Sequence, residues 1–279
     1  MGLNPNWVST NETQERFIRH FLAACKGVSL KEIELSVSQN ANEINEFLAS
    51  KGFSIRLNPF PPNTVGFASI LDLLVQWLQR GKKVDIIALN GKRYDGVQIK
   101  SEGVFIYGST YKGQKHTVAC LRTKSGDLVY MAVPMVQAEG LDLLDVARSL
   151  TDNVEYPAPY EGIQFPMVKL DIVNNIDWLL GMETRNQSGT PAVITQAIQQ
   201  IRIRINEVGA HFESATAMAV TLKGIHIPKP ELIIREPFIV WVIRPNVKEP
   251  IIAAVVTEEN WENPGSLGGK EGDLHIQRG

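Results

Sequence analysis

The stretch Ile201-Arg202-Ile203-Arg204-Ile205-Asn206-Glu207-Val208-Gly209 (residues 201–209) decides the fold predicted for this chain. Its isoleucines alternate with polar side chains, and a period of two predicts a strand with one buried face and one wet face. We expect this strand to end at Gly209.

An irregular segment and then a hairpin are expected after the strand. Residues 214–220, Ser-Ala-Thr-Ala-Met-Ala-Val, contain too few large apolar side chains to hold a core position. Pro228 and Pro230 lack a backbone N–H and exclude a central strand. The apolar runs 238–243 and 251–256 are short and rich in β-branched residues, which predicts a buried antiparallel hairpin.

This order of features resembles the carboxy-terminal part of the serpin family. The family pattern is a strand, a Glu-x-Gly hinge, a run of small residues, an exposed reactive loop and a central hairpin that begins with Pro-Phe. Glu207-Val208-Gly209, residues 214–220 and Pro237-Phe238 fall in that order here. Residues 128–150 and 162–182 also resemble family segments, so the resemblance covers roughly residues 113–261.

The resemblance implies an α+β fold with a serpin-like body of several sheets. Capping-box spacing from Ser9 and from Ser29, a cap at Asn42 and apolar spacing from Ile70 to Gly81 predict four helices, and hence a mainly helical amino-terminal third. The expected organisation is a single domain, 1–262, with a mainly helical part (1–82), a mainly β part (83–262) and a flexible tail (263–279).

Two departures from the family pattern affect the main sheet. The sequence has no Ser-Pro dipeptide, which the family carries near its amino terminus, and the chain is shorter than the family's common core. We therefore expect a truncated main sheet that lacks amino-terminal strands at the border of the insertion gap. A gap with one wall would offer half of the usual hydrogen-bonding ladder.

The resemblance also implies which residues act. The hinge residues are Glu207, Gly209, Ala210 and Phe212, and the reactive loop contains Ser214, Ala215, Thr216 and Ala217. If the hinge is read without insertion, the scissile bond joins Lys223 and Gly224, which predicts trypsin-like specificity. If two residues are inserted near His211-Phe212, the cut moves to Ile225-His226.

Two functions follow as hypotheses. The first is a protease inhibitor family protein that presents its loop to a trypsin-like serine protease and behaves as a substrate more than as a covalent trap. The alternative is a non-inhibitory binding or structural protein on a serpin-derived scaffold. Catalysis is not expected, because no Gly-x-Ser-x-Gly elbow is present and Asp142 and Asp145 fit a solvated helix face.

Composition argues against several partners. The chain has 279 residues, 28 basic and 30 acidic, and a formal net charge of −2, so we expect neither nucleic acid nor a membrane as a partner. The five histidines lack metal-ligand spacing, and no metal or cofactor is predicted. Cys25 and Cys120 are expected to be thiols on a helix and a strand. No secretory signal is visible, which predicts a cytoplasmic protein.

Overall fold

The structure is a computed structural model that describes residues 4–22, 33–61, 64–71, 76–100, 103–185, 191–209, 229–247 and 249–267. The helices are α1 (Glu12–Arg16), α2 (Ala41–Ser50) and α3 (Gly140–Asp152), with a π-helical turn at Phe17–Leu22 and 3-10 turns at Asp177–Leu179 and Glu258–Asn260. The strands are β1 (Asn4–Val8), β2 (Ile33–Ser38), β3 (Thr64–Leu71), β4 (Lys82–Ile87), β5 (Arg93–Ile99), β6 (Val104–Tyr111), β7 (Gln114–Arg122), β8 (Leu128–Val133), β9 (Tyr156–Pro157), β10 (Gly162–Pro166), β11 (Val168–Asn175), β12 (Glu183–Arg185), β13 (Pro191–Ile205), β14 (Glu231–Ile233), β15 (Phe238–Ile243) and β16 (Ile252–Val256).

These strands form three sheets. The main sheet has the order β1-β12-β13-β3-β2, and β11 pairs with β13 as well. A four-stranded sheet has the order β14-β10-β5-β4, and a six-stranded sheet has the order β16-β15-β8-β7-β6-β9. The expected α+β fold class is confirmed.

The long strand β13 carries the predicted alternation. Ile201 and Ile205 are buried, whereas Arg204 between them is exposed. The buried side chains join a core cluster with residues of the other two sheets, including Phe165 and Val240. The main sheet is therefore fixed against the rest of the body by the isoleucine face of β13.

The predicted carboxy-terminal hairpin is confirmed. β15 pairs antiparallel with β16 from Phe238↔Val256 to Val242↔Ile252. Phe238 and Val240 face the core between the sheets, and Ile239 and Trp241 face a second cluster under α3. Because both faces of β15 are buried, its sequence is a continuous apolar run with no alternation.

Residues 162–170 were expected from the resemblance to form one strand, but they are divided between two sheets. β10 pairs with β5 and β14, and β11 pairs with β13 after a break at Met167. Pro166 lies at the break, where a residue without an N–H can end a ladder. The chain thereby connects the four-stranded sheet directly to the main sheet.

Two of the four predicted amino-terminal helices are correct. α1 follows the predicted capping signal, with Asn11 as the N-cap that accepts a hydrogen bond from the Gln14 N–H. α2 buries Ile44 and Leu48, and its N-cap is Asn40, two residues before the expected cap.

The other two helix predictions are wrong. Residues 33–38, placed in a helix from Ser29, form β2, and the helix predicted from Ile70 overlaps the end of β3 at Leu71. Long-range pairing between β2 and β3 overrides the local helix signals, because apolar runs of this length suit a buried strand as well as a helix. The amino-terminal third is therefore mixed rather than mainly helical.

The expected loss of an amino-terminal wall of the main sheet is also wrong. β3 lies directly beside β13 and pairs with it in parallel, and β2 lies on the far side of β3. Both strands come from the part of the chain that was assigned to helices. The site where a loop could enter the sheet thus has a strand on each side.

The first residues of the predicted tail pack against the body. The side-chain amide of Asn206 donates to the Gly265 carbonyl oxygen at 3.0 Å, and Leu267 is buried. Residues 268–279 lie outside the described part of the chain. Cys120 is a buried free thiol on β7, as expected, and Cys25 lies outside the described residues. None of the described helices is both long enough and apolar enough to cross a membrane.

Candidate functional site: the hinge and the seam of the main sheet

The predicted hinge lies at the end of β13, where the strand leaves the main sheet. Gly209 has φ +82°, a conformation that side chains rarely adopt, and it forms an antiparallel bridge with Gln76. A Cβ on Gly209 would lie 2.4 Å from the Trp77 backbone nitrogen and 2.6 Å from the Gln76 Cα. Only glycine fits here, because both the backbone angle and the space exclude a side chain.

A second set of contacts fixes the residues just before Gly209. Trp77 is 2% exposed, and its indole N–H donates to the Asn206 carbonyl oxygen at 2.9 Å. The Gly81 N–H donates to the Glu207 carbonyl oxygen at 2.7 Å. Residues 76–81 therefore form a rigid support for the point from which the following segment departs.

Glu207 is buried at the hinge as a charged group. Its carboxylate accepts from Arg80 Nη2 at 3.0 Å and lies 3.4 Å from Lys83 Nζ. Burial by itself raises the pKa of Glu207, but its own backbone N–H and the two cations outweigh burial and hold the pKa below its usual value. The carboxylate is therefore ionised at neutral pH, and protonation in acid would weaken the hinge.

The seam between β3 and β13 is the second part of the site. We call the pairing from Val193↔Thr64 to Ile201↔Leu71 the seam; it is parallel, with an irregularity between Ile194 and Gln196. A strand entering here would have to part this ladder and then pair on both sides. Parallel pairing is slightly weaker per residue than antiparallel pairing, so the seam is weaker per residue than the antiparallel ladder between β11 and β13.

A segment that we call the strap, residues 52–60, lies across the seam. Arg202 on β13 donates to the Gly52 carbonyl oxygen at 2.7 Å, and its guanidinium lies 4.0 Å from the Phe53 ring centroid. Further along, Asn58 and the Gln196 side chain exchange two hydrogen bonds of 2.9 Å each. The strap is thus attached to β13 at two points, through Arg202 and through Gln196.

The strap also contacts β3. The Phe60 ring covers Gly66 so closely that a Cβ there would lie 2.0 Å from the ring. α2, which leads into the strap, packs against β2 and β3 and shares a cluster with Ala68. Because the strap contacts both sides of the seam, separating β3 from β13 would break contacts on one side.

The chain re-enters the described structure close to β14, at the edge of the four-stranded sheet. Glu231 accepts from the side-chain amides of Gln98 and Gln164 and pairs with Lys100. Burial alone raises the pKa of Glu231, but these donors outweigh it and hold the pKa below the usual value. The two ends of the connecting segment are thus anchored in different sheets, each by a charged network.

The structure places only part of the predicted site. Of the predicted hinge residues, Glu207 and Gly209 are described and follow the end of β13, and their role as a hinge stays a prediction. The remaining predicted site residues lie outside the described residues, namely Ala210, Phe212, Ser214, Ala215, Thr216, Ala217, Lys223 and Gly224, together with Ile225 and His226 of the alternative register.

Sequence reasoning missed the partners of the hinge. Gln76, Trp77 and Arg80 were assigned to the predicted helix that ends at Gly81. No local pattern connects them, or Lys83, to Glu207. Arg80 and Glu207 are 127 residues apart. The sequence gives no signal for these partners, because the burial of Glu207 that makes a cation necessary is visible only in the structure.

Two other candidate sites have ordinary structural roles. Asp142 and Asp145 on α3 form ion pairs with Arg16, and Asp145 also pairs with Arg148. They lie on an exposed, salt-bridged helix face, as predicted. Within the described ranges, no group of three or more His, Cys, Asp or Glu side chains could hold a metal ion.

Comparison with known proteins gives a result for the fold only. No family model matches the sequence, and no curated protein matches it. A serpin from the insect Tenebrio molitor aligns over 89% of this chain and 82% of its own, with TM-score 0.53 and 14% identity.

Two further solved structures have a similar fold. The thermophilic serpin tengpin in its native state aligns over 87% of this chain and 78% of its own, with TM-score 0.52 and 13% identity. Human thyroxine-binding globulin in complex with its ligand aligns over 87% of this chain and 79% of its own, with TM-score 0.52 and 12% identity.

Proposed function

From the serpin-like fold of this chain, we propose that it presents residues 210–227 to a serine protease of trypsin-like specificity. The observation that carries the proposal is the hinge. β13 of the main sheet ends at Ile205, Gly209 bridges to Gln76, and the described chain resumes at Lys229 just before β14 of the four-stranded sheet. The role proposed is binding to a protease and not catalysis.

The proposed cleavage site is the Lys223-Gly224 bond. In the family, the hinge glycine stands fifteen residues before the scissile bond, and counting from Gly209 without insertion gives 209 + 14 = 223. A lysine at this position suits a protease with an acidic specificity pocket. The alternative register, with two residues inserted near His211-Phe212, gives a cut between Ile225 and His226.

We further propose that the protein is cleaved as a substrate and does not trap the protease. Trapping requires the cleaved loop to enter the main sheet faster than the acyl-enzyme hydrolyses. Phe212 stands where the family has a small residue, and overpacking a fitted core costs about 1–3 kcal/mol. Even ~1.4 kcal/mol at the transition state slows a step about tenfold.

One argument for substrate behaviour is removed by the structure. The expected loss of the strand next to β13 no longer supports it, since β3 pairs with β13 there. The strap supports it instead, because its contacts with both β3 and β13 have to break on one side before the seam can open. Slow opening favours hydrolysis of the acyl-enzyme over insertion.

Limited proteolysis with trypsin tests the proposal. The first cut is expected after Lys223, identified by the masses of the two fragments, because exposed connecting segments are the preferred sites of nicking. Lys223→Ala should abolish that cut, while Lys229→Ala, in the same connection, should leave it intact. A first cut at another position in both the parent protein and Lys223→Ala would refute the proposed register.

A binding protein without protease contact is the second candidate. Thyroxine-binding globulin, which is among the similar structures, was solved in complex with thyroxine. This candidate is favoured over the first if trypsin leaves residues 210–227 intact while it cuts elsewhere in the folded protein.

A further inference from the structure

Four basic side chains are grouped at the hinge, and we call Arg80, Lys83, Arg122 and Lys124 the basic patch. All four are exposed. Arg80 and Lys83 share the carboxylate of Glu207, which brings their charged ends close together. The patch therefore has four positive charges and one buried negative charge, a balance of 4 − 1 = +3.

The backbone brings Arg122 and Lys124 to the same place. The Leu78 N–H donates to the Arg122 carbonyl oxygen, and the Lys124 N–H donates to the Gln76 carbonyl oxygen. Thr123 between them is buried and bridges to Trp77, so the two cations flank a residue that faces inward. Residues 76–83 thus lie between the turn after β7 and the hinge.

An exposed apolar side chain lies within the patch. Leu78 is 44% exposed and its backbone is bonded to Arg122. Protein interfaces typically combine an apolar contact with arginine at the rim. A polyanion gains little from Leu78, and polyanion binding usually uses more phosphate-type contacts than four. The combination therefore favours an acidic protein surface as the partner.

The position of the patch indicates which protein that would be. Gly209, the last described residue before the proposed loop, bridges to Gln76 next to the patch. A protein bound to the loop would cover about 800 Å² of this molecule, which extends well beyond the loop itself. We propose that the basic patch is a second contact surface for the protease, selecting proteases whose surface beside the active site is acidic.

This inference rests on the proposed function and is tested with two trypsins of opposite net charge. Anionic and cationic trypsin share specificity for lysine and arginine, so a difference between them reports surface charge. We expect kcat/KM for cleavage after Lys223 to be higher for anionic trypsin in about 0.1 M salt. The preference should vanish in about 1 M salt, where the screening length falls from about 10 Å to about 3 Å.

Variants then test whether the preference for anionic trypsin depends on the basic patch. Arg122→Gln with Lys124→Gln spares the cations that hold Glu207. It should lower kcat/KM for anionic trypsin by up to about tenfold at low salt, because electrostatic steering by a full charged surface is worth about tenfold or more and the variant removes two of the four cations. Cleavage by cationic trypsin should not fall. Lys115→Gln is the matched control, because it is exposed on the same strand about 23 Å from Arg122.

The outcomes separate the two proposals. If both trypsins cut after Lys223 and the double variant behaves like the parent protein, the patch has no role in protease selection and the inference is wrong. If the double variant instead loses retention on a sulfated polysaccharide column with unchanged cleavage, the patch binds polyanions and the inference is also wrong. If neither trypsin cuts after Lys223, the proposed function fails and the patch loses its proposed partner with it.

Discussion

Gly209 combines two constraints that can be separated by experiment. Its φ is +82°, and a Cβ would meet the Gln76 and Trp77 backbones at 2.4–2.6 Å. Gly113, in the turn between β6 and β7, also has φ +82° but has open space around it. Alanine at either position strains the backbone, while alanine at Gly209 must also displace the backbone of Gln76 and Trp77.

We therefore expect Gly209→Ala to destabilise the protein more than Gly113→Ala does. Overpacking adds about 1–3 kcal/mol to the cost that the two variants share. The free energy of unfolding in urea measures the difference. Equal losses in the two variants would show that the close approach at Gly209 contributes nothing.

His116 on β7 should make stability depend on pH. Its side chain is 2% exposed; Nδ1–H donates to the Pro134 carbonyl oxygen at 2.9 Å, and Nε2 is a buried nitrogen without a hydrogen-bond partner among the described residues. Burial lowers the pKa of His116 below 6.5, although the bond to Pro134 opposes this shift. The folded protein thus keeps the ring neutral where the unfolded chain would protonate it.

Because the unfolded state binds more protons below its own pKa, stability should be highest above about pH 6.5 and should fall as the pH drops from there towards the folded pKa. The slope approaches about 1.4 kcal/mol per pH unit for one proton. Urea unfolding at a series of pH values checks this. His116→Gln, which cannot titrate, should reduce the slope just below about pH 6.5; an unchanged slope would assign it to other groups.

At the scale of elements, one attachment of the strap can be removed by changing Arg202, a half-buried side chain that belongs to no core cluster. Arg202 contributes a hydrogen bond to the Gly52 carbonyl oxygen, an ion pair with Asp171 and a contact with the Phe53 ring. Arg204, two residues along the same face of β13, is exposed. These two arginines form a natural pair for comparison.

Arg202→Met should destabilise the protein by about 1–3 kcal/mol, the usual worth of a hydrogen bond from a charged donor. Amide hydrogen exchange in residues 53–60 should become faster, because the strap loses one of its two attachments to β13. Arg204→Met should change the free energy of unfolding by no more than about 0.5 kcal/mol, as is usual at an exposed site. It should leave amide exchange in residues 53–60 unchanged. Unchanged exchange in the Arg202 variant would show that the strap is held by Phe60 and Asn58 alone.

At the scale of the whole molecule, the question is whether the main sheet can take another strand. Insertion would replace the parallel seam by two antiparallel ladders, which should raise the thermal unfolding temperature of the cleaved protein. We expect no such rise in the parent protein after a cut at Lys223, because Phe212 and the strap both oppose entry.

Combining Phe212→Ala with Arg202→Met should reverse this result. The smaller side chain removes the overpacking, and the loosened strap lets β3 and β13 separate, so the cleaved double variant should unfold at a higher temperature than its uncleaved form. Thermal scans before and after trypsin treatment measure the unfolding temperatures of the uncleaved and cleaved forms. A parent protein that forms a denaturation-resistant complex with trypsin on gels would contradict the proposed substrate behaviour.

Much of the body was predictable because its signals are local. The alternation of Ile201, Ile203 and Ile205 predicts β13, and the apolar run at 238–243 predicts β15, since burial of one or both strand faces leaves its period in the sequence. The hinge role of Glu207-Val208-Gly209, inferred from its order after the strand, stays a prediction. These parts depend on neighbours a few residues apart.

The amino-terminal third was decided by tertiary structure instead. Residues 64–71 look apolar enough for a helix or a strand, and only pairing with β13 and β2 selects the strand. The same pairing supplies the second wall of the seam. A local sequence pattern cannot predict the pairing of β3 with β13, because the two strands are separated by more than a hundred residues.

By itself, the sequence determined that a strand, a connecting segment and a buried hairpin follow one another after Ile201, and that Gly209 marks the exit from the strand. Only the tertiary structure decided that Arg80 and Lys83 neutralise Glu207 and that the strap crosses the seam. The physical reason is the same in both cases. Buried charges and open ladder edges must find partners, but the free energy that selects those partners depends on distances in space and not on spacing along the chain.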